Sequence, residues 1–173
     1  MLPVSATWDD RGDALNPVDG EFLSLQATPL IGLEGGSAGL SFGGDLRLYR
    51  PFGGDDQHVW AVRGQLSSVT GFEIEEVPPS ILFFSGGGGT VRGQPFQSLA
   101  VEDGDDRTGG LLFAGLSAEV RVAATDTIGV VGFADFGLIG DEAFGGEIES
   151  HAGAGLGLRY NTCLLYTSDA ADE

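Results

Sequence analysis

The residues with the clearest chemical potential are an arginine, two carboxylates and a run of glycines. Residues 85–99 read SGGGGTVRGQPFQSL, a glycine-rich stretch that leads into Val91, Arg92 and Gly93. A phosphate-cradling loop would need Lys-Ser/Thr behind the glycines and a helix after them, and neither is there. An arginine on such a loop offers something else, a planar fork able to hold two carboxylates at once. Glu119 and Asp135 suit that role, because parity places both on the polar faces of adjacent strands. A loop that folded back over those strands would let Arg92 reach both acids.

Other groups weigh less. Glu102, Asp103, Asp105 and Asp106 could gather calcium, but the twelve-residue loop with its terminal glutamate is missing, and the cluster reads as a solvated loop. His58 and His151 are the only histidines and stand far apart, so no zinc cluster or histidine-based triad emerges. His151 reads as a strand-end or lumen residue. Glu73, Glu75 and Glu76, ahead of Pro78 and Pro79, read as a solvated turn, and the Arg11-Gly12-Asp13 triplet as a chance match inside an acidic turn. No metal, no cofactor and no enzymatic constellation is expected.

The elements that must position these groups are strands. In residues 111–123, Leu112, Ala114, Leu116, Ala118, Val120 and Val122 alternate with Ser117, Glu119 and Arg121. In residues 127–139, Ile128, Val130, Gly132, Ala134, Phe136 and Leu138 oppose Gly129, Asp135 and Gly137, and residues 151–160 repeat the pattern. Upstream, Leu40, Phe42, Leu46 and Leu48 oppose Ser41, Asp45, Arg47 and Tyr49, while Trp60, Val62 and Leu66 oppose Arg63, Gln65 and Ser67. Residues 2–8 and 22–31 are further candidates. Turn-like clusters separate all of these, so the chain reads as seven or eight antiparallel strands with no helical period.

Composition narrows the class. Of 173 residues 30 are glycine, and 26 Asp and Glu face only eight cations, all arginine, for a formal charge of −18. That sign argues against nucleic acid as a partner. With 42% hydrophobic residues and a mean hydropathy of +0.08, the chain is too apolar for a disordered acidic polymer. No apolar run reaches the roughly 18 residues of a membrane helix. Between a soluble sandwich and a transmembrane β-barrel the faces favour the barrel. The residues of the apolar face are often small, and the polar face carries glycines and isolated charges, as a lumen does. Trp8, Tyr49, Trp60 and Tyr160, near strand ends, suit interfacial girdles.

These motifs together resemble the BamA/TamA superfamily of outer-membrane insertases and translocation channels, the TamA-like branch most. In that family a V-R-G-aromatic loop enters the barrel lumen from the extracellular side, matched here by Val91, Arg92 and Gly93. A later-strand F-x-D-x-G motif matches Phe133, Asp135 and Gly137, and a lumen-facing acid on the preceding strand matches Glu119. The stretch LPVSATWDDRGDALNPVDG is similar to a strand-turn-strand segment of the family with an Asn-Pro-x-x-Gly turn, and GAGLGLRYNT to a strand near its carboxyl end. One departure stands out: the family places Tyr or Phe directly after Arg-Gly, whereas this chain has Gln94, with Phe96 as the next aromatic.

The resemblance covers residues 1–162 and implies an antiparallel transmembrane barrel of about sixteen strands, of which this chain supplies about half as an open curved sheet with a glycine-rich loop directed into the lumen. Residues 163–173, CLLYTSDAADE, break the alternation and resemble a translated sequencing adapter, which would leave the single cysteine, Cys163, uninformative. Strand-like sequence directly after Met1 suggests an internal fragment. By resemblance the whole protein would sit in a Gram-negative outer membrane, touch outer-membrane lipid, handle unfolded outer-membrane or autotransporter clients, and reach a periplasm-spanning partner through missing POTRA domains. Two rivals remain open, a passive porin-like or structural barrel and a secreted β-sandwich binding module.

Overall fold

The computed structural model describes residues 2–32, 37–54, 58–103, 106–125, 127–144 and 146–160. Seven strands form one antiparallel sheet: β1 (Val4–Asp9), β2 (Gly20–Ile31), β3 (Ala38–Phe52), β4 (His58–Thr70), β7 (Leu112–Ala123), β8 (Ile128–Gly140) and β9 (Ile148–Tyr160). Each strand pairs with its neighbours in chain order, and a small hairpin, β5 (Val101–Asp103) with β6 (Asp106–Thr108), lies in the long insertion between β4 and β7. The only other regular element among the described residues is a 3-10 turn, Ile74–Glu76. The sheet is open, with β1 and β9 as its edges.

Apart from the six-residue β1, the strands of this sheet are 12 to 15 residues long. At roughly 3.3 Å per residue they run about 40 Å, and tilted near 45° they cross an apolar band of about 25 Å. The period of two then sorts the side chains. On one face, register brings together Trp8 with Leu23, Leu23 with Leu46, Leu48 with Val62, Leu66 with Ala114, Leu116 with Phe136 and Val130 with Leu158. Many of these bulky residues are exposed, Leu25, Leu46, Leu66, Leu116, Phe136, Leu156 and Leu158 among them. A continuous apolar face of that extent suits lipid rather than water. Pro29 on β2 lies beyond the last residue that pairs with β1, where a missing backbone donor is tolerated.

The opposite face is covered from both ends. At the end carrying the long insertion, Leu30, Val69, Val77, Leu82 and Leu111 form a buried apolar cluster, flanked by Phe72, Ile74, Ile81, Phe83 and Phe84. The insertion therefore brings its own hydrophobic cap. At the other end the 10–19 turn folds inward: Pro17 is buried, and Val18 packs against Tyr49, Val59 and Ala61. Gly20 closes that turn with φ +104°, where a β-carbon would strike the Asp10 carbonyl.

Tyr49 departs from its expected girdle role. It is 8% exposed on the covered face, whereas Trp8, Trp60 and Tyr160 stand exposed on the apolar face. Strand parity decides this, since Tyr49 pairs with Ala61 and Gly20 rather than with residues of the apolar face.

Candidate functional site

The site lies where the 85–99 loop meets the covered face of β7 and β8. The loop is tied at its base, where Ser85 and Leu99 exchange backbone hydrogen bonds of 3.1 and 2.9 Å. Higher in the loop the Gly87 N–H donates to the Gln94 carbonyl at 3.1 Å. Two of the four consecutive glycines are conformationally required: Gly86 and Gly87 have φ of +114° and +91°, and a β-carbon at Gly86 would meet the Pro95 carbonyl. Gly88 and Gly89 face open space.

The wall receives the loop through its own glycines. Val91, fully buried, fills the space above Gly137 and Gly153. A β-carbon at Gly137 would press on Ser85 Oγ and Val91, and one at Gly153 would collide with the Arg92 carbonyl. Glycine inside a strand marks such a close backbone approach. Phe133 lies across Gly155, and its ring carries the Arg92 guanidinium 3.9 Å from its centroid. Gly93, with φ +84°, then turns the chain away.

Arg92 is held by two acids. Its Nε and Nη2 donate to the two carboxylate oxygens of Asp135, each at 2.8 Å, and its backbone N–H adds a third bond at 2.9 Å. Its Nη1 donates to Glu119 Oε2 at 2.5 Å. Asp135 is only 3% exposed. Ser117 pairs with Asp135, and Glu119 with Phe133, so the two acids sit one step apart on neighbouring strands, the spacing a guanidinium fork spans. Hydrogen bonding to Asp135, then to Glu119, outweighs burial and holds the Arg92 guanidinium more firmly protonated than usual.

Several contacts were not singled out from the sequence. Asp45 accepts from both Arg47 and Arg63, and Arg63 Nη1 donates to the Gly89 carbonyl at 3.0 Å, steadying the glycine run. Ser85 Oγ and His151 Nε2 lie 2.9 Å apart, placing His151 on the loop-covered face. Parity places Asp45, Arg47 and Arg63 on the polar face, but nothing local marks them as partners of a distant loop. Gln94, standing where an aromatic is usual, donates to the Ala152 carbonyl at 2.8 Å, and Phe96 is 80% exposed. The loop tip is thus tethered to β9 by an amide rather than by a ring.

The remaining candidates do not join the site. Arg11 is folded back on Asp9 and lies 4.5 Å over Phe22, so the Arg11-Gly12-Asp13 triplet presents no free guanidinium. Glu73 and Glu76 form a capping box around the 3-10 turn. Asp105 and residues 163–173 fall outside the described residues, as do the side chains of Glu102, Asp103 and Asp106. Among the described residues no three acids, histidines or cysteines stand close enough to hold a metal ion.

Comparison with known proteins gives this arrangement its context. The model of the Omp85 superfamily domain matches residues 1–165. The chain belongs to the Omp85 superfamily. Among solved structures, a BamA from Haemophilus ducreyi lacking POTRA domains 1–3 matches with a TM-score of 0.74 at 18% identity, over 93% of this chain and 36% of that one. The seven-stranded open sheet thus has the fold of part of that BamA structure, and the chain spans about a third of the length of that solved chain.

Proposed function

We propose that this Omp85 segment is the wall and lumen loop of an outer-membrane assembly factor that inserts or exports other outer-membrane proteins. The observation that carries the reading is the Arg92 clasp: a loop from one end of the sheet, seated on wall glycines and locked to Asp135 and Glu119 behind a lipid-compatible face. A passive pore needs a constriction but no such keyed seat. The work is physical rather than enzymatic. Seam strands in the remainder of the barrel would part, and their free backbone groups would template an incoming client strand, helped by locally thinned lipid. The wall that carries the clasp would form the part of the barrel against which that seam moves. The setting is a Gram-negative outer membrane, with outer-membrane lipid against the apolar face. Clients are unfolded outer-membrane proteins, autotransporters in the TamA-like version, with POTRA domains linking to a periplasmic partner.

The test is reconstitution of the complete polypeptide in lipid vesicles with a urea-denatured outer-membrane barrel as client, followed by the client's folded band on a gel. Accelerated client folding over empty vesicles, lost in Asp135→Ala, is expected. Vesicles that conduct ions yet give no acceleration would replace this reading with the porin-like one, and substituting an autotransporter client tests the TamA-like version.

A further inference from the structure

We propose that Glu119 couples the two ends of the lumen, so that seating of the 85–99 loop and closure of the 10–19 turn are one event. The two segments enter from opposite ends of the sheet and never touch through their own backbones in the contacts described above. They meet through a chain of charged side chains. Arg92 Nη1 donates to Glu119 Oε2 at 2.5 Å, Arg121 Nε donates to Glu119 Oε1 at 2.6 Å, and Arg121 Nη1 donates to the Pro17 carbonyl at 3.2 Å. One carboxylate therefore spends its two oxygens on two guanidiniums, one from the loop and one from two residues further along its own strand. Arg121 also lies 5.5 Å from the ring of Tyr49, the residue that with Val59 and Ala61 receives Val18 of the turn.

The coupling follows from where the oxygens go. With Arg92 in place, Glu119 can offer Arg121 only one oxygen, and Arg121 keeps Nη1 for Pro17. When Arg92 leaves, Glu119 is free to pivot and take Arg121 bidentately, the geometry guanidinium and carboxylate prefer. Taking Nε and Nη2 together turns the guanidinium toward the space Arg92 vacated, which carries Nη1 away from the Pro17 carbonyl, already at 3.2 Å, and loosens the turn. Conversely, a turn that pulls away releases Arg121, and Glu119 then holds Arg92 with no fixed orientation. Arg121 is thus a positioning residue acting through Glu119. The interlock belongs to the fold and does not depend on what the barrel handles.

The experiment is hydrogen exchange on the complete polypeptide in lipid nanodiscs, comparing peptides from 10–19, from 85–99 and from β3 and β4. Arg92→Gln is expected to speed exchange in both 10–19 and 85–99, on the order of tenfold, with β3 and β4 unchanged. Arg121→Gln should do the same in 10–19, and the double variant should go no further than either single one. Arg63→Gln, which frees the Gly89 carbonyl but lies outside the relay, should speed only 85–99. Arg121→Lys should not restore protection in 10–19, since one ammonium cannot serve Glu119 and Pro17 with the geometry of a fork. If Arg92→Gln fails to give a heat-modifiable folded band, Glu119→Gln carries the same comparison with the wall intact. Exchange in 10–19 that stays at the wild-type rate in Arg92→Gln or Glu119→Gln, or effects of Arg92→Gln and Arg121→Gln that simply multiply, would overturn the proposal.

Discussion

The long insertion is held to the wall twice, and the two holds obey different physics. Near its root, Val77 and Leu82 sink into a cluster with Leu30, Val69 and Leu111, a contact that any set of apolar residues of similar volume could make. Further along, Arg92 meets Asp135 and Glu119 through directional bonds that only a guanidinium can satisfy together. The apolar cap fixes where the insertion starts. The clasp fixes its depth along the strands and, being charged with Arg92 30% exposed, is the hold that a charge-removing substitution weakens most.

The largest effect that would break this contrast is expected from Asp135→Ala. Removing the acid leaves Arg92 with Glu119 alone, and the loop-opening equilibrium should shift by about 3 kcal/mol, the low end for a broken buried pair because Arg92 keeps 30% exposure. Exchange of the Val91 to Gly93 amides reads it, while the cap around Leu82 stays protected. The opposite result comes from Leu82→Ala, which opens a cavity in the cap at a cost of about 2 kcal/mol. The temperature at which the folded gel band disappears should fall, with the Arg92 amide still slow to exchange. Equal loss of both regions in either variant would show that the two holds are one.

Smaller changes sharpen the comparison. Gly153→Ala places a methyl group against the Arg92 carbonyl and should lift the loop without touching any charge, at about 1–3 kcal/mol. Limited proteolysis within 85–99 would report it, and resistance equal to wild type would mean that the seat has more room than the backbone approach indicates. Gly88→Ala, facing open space, is the matched control and should change nothing in the same assay. At the bottom of the scale stands Arg50→Gln. Its pairs with Asp19 and Glu21 are exposed at the rim, so heat stability should not move measurably, and a clear loss would give that surface pair a structural role.

Much of the wall was legible in the sequence, because strand parity is a local property. The alternation in residues 111–123 and 127–139 places Glu119 and Asp135 on one face without knowledge of any partner, and β7 and β8 carry them there. The same parity read strictly would have kept Tyr49 out of the girdle. Boundaries were less legible: β3 runs on to Phe52 and β4 starts at His58, past the clean alternation, because pairing with neighbours extends strands beyond their own pattern. The hairpin of β5 and β6 looks in sequence like a solvated acidic loop, since three-residue strands carry too little periodicity to register. His151 could be placed on a strand, but not against Ser85, which lies 66 residues away.

Residue order alone yields an antiparallel sheet with one apolar and one charged face, and it marks Arg92, Glu119 and Asp135 as the groups worth joining. Folding is what seats Val91 on Gly137 and Gly153, brings Arg63 to the glycine run, and lets Arg121 tie Glu119 to Pro17 at the far end. The physical reason is the range of the interactions. Alternation is set by the backbone within a few residues, whereas the seat of a 15-residue loop depends on which glycines, carbonyls and charges the assembled sheet brings to the same depth, and no local pattern records that.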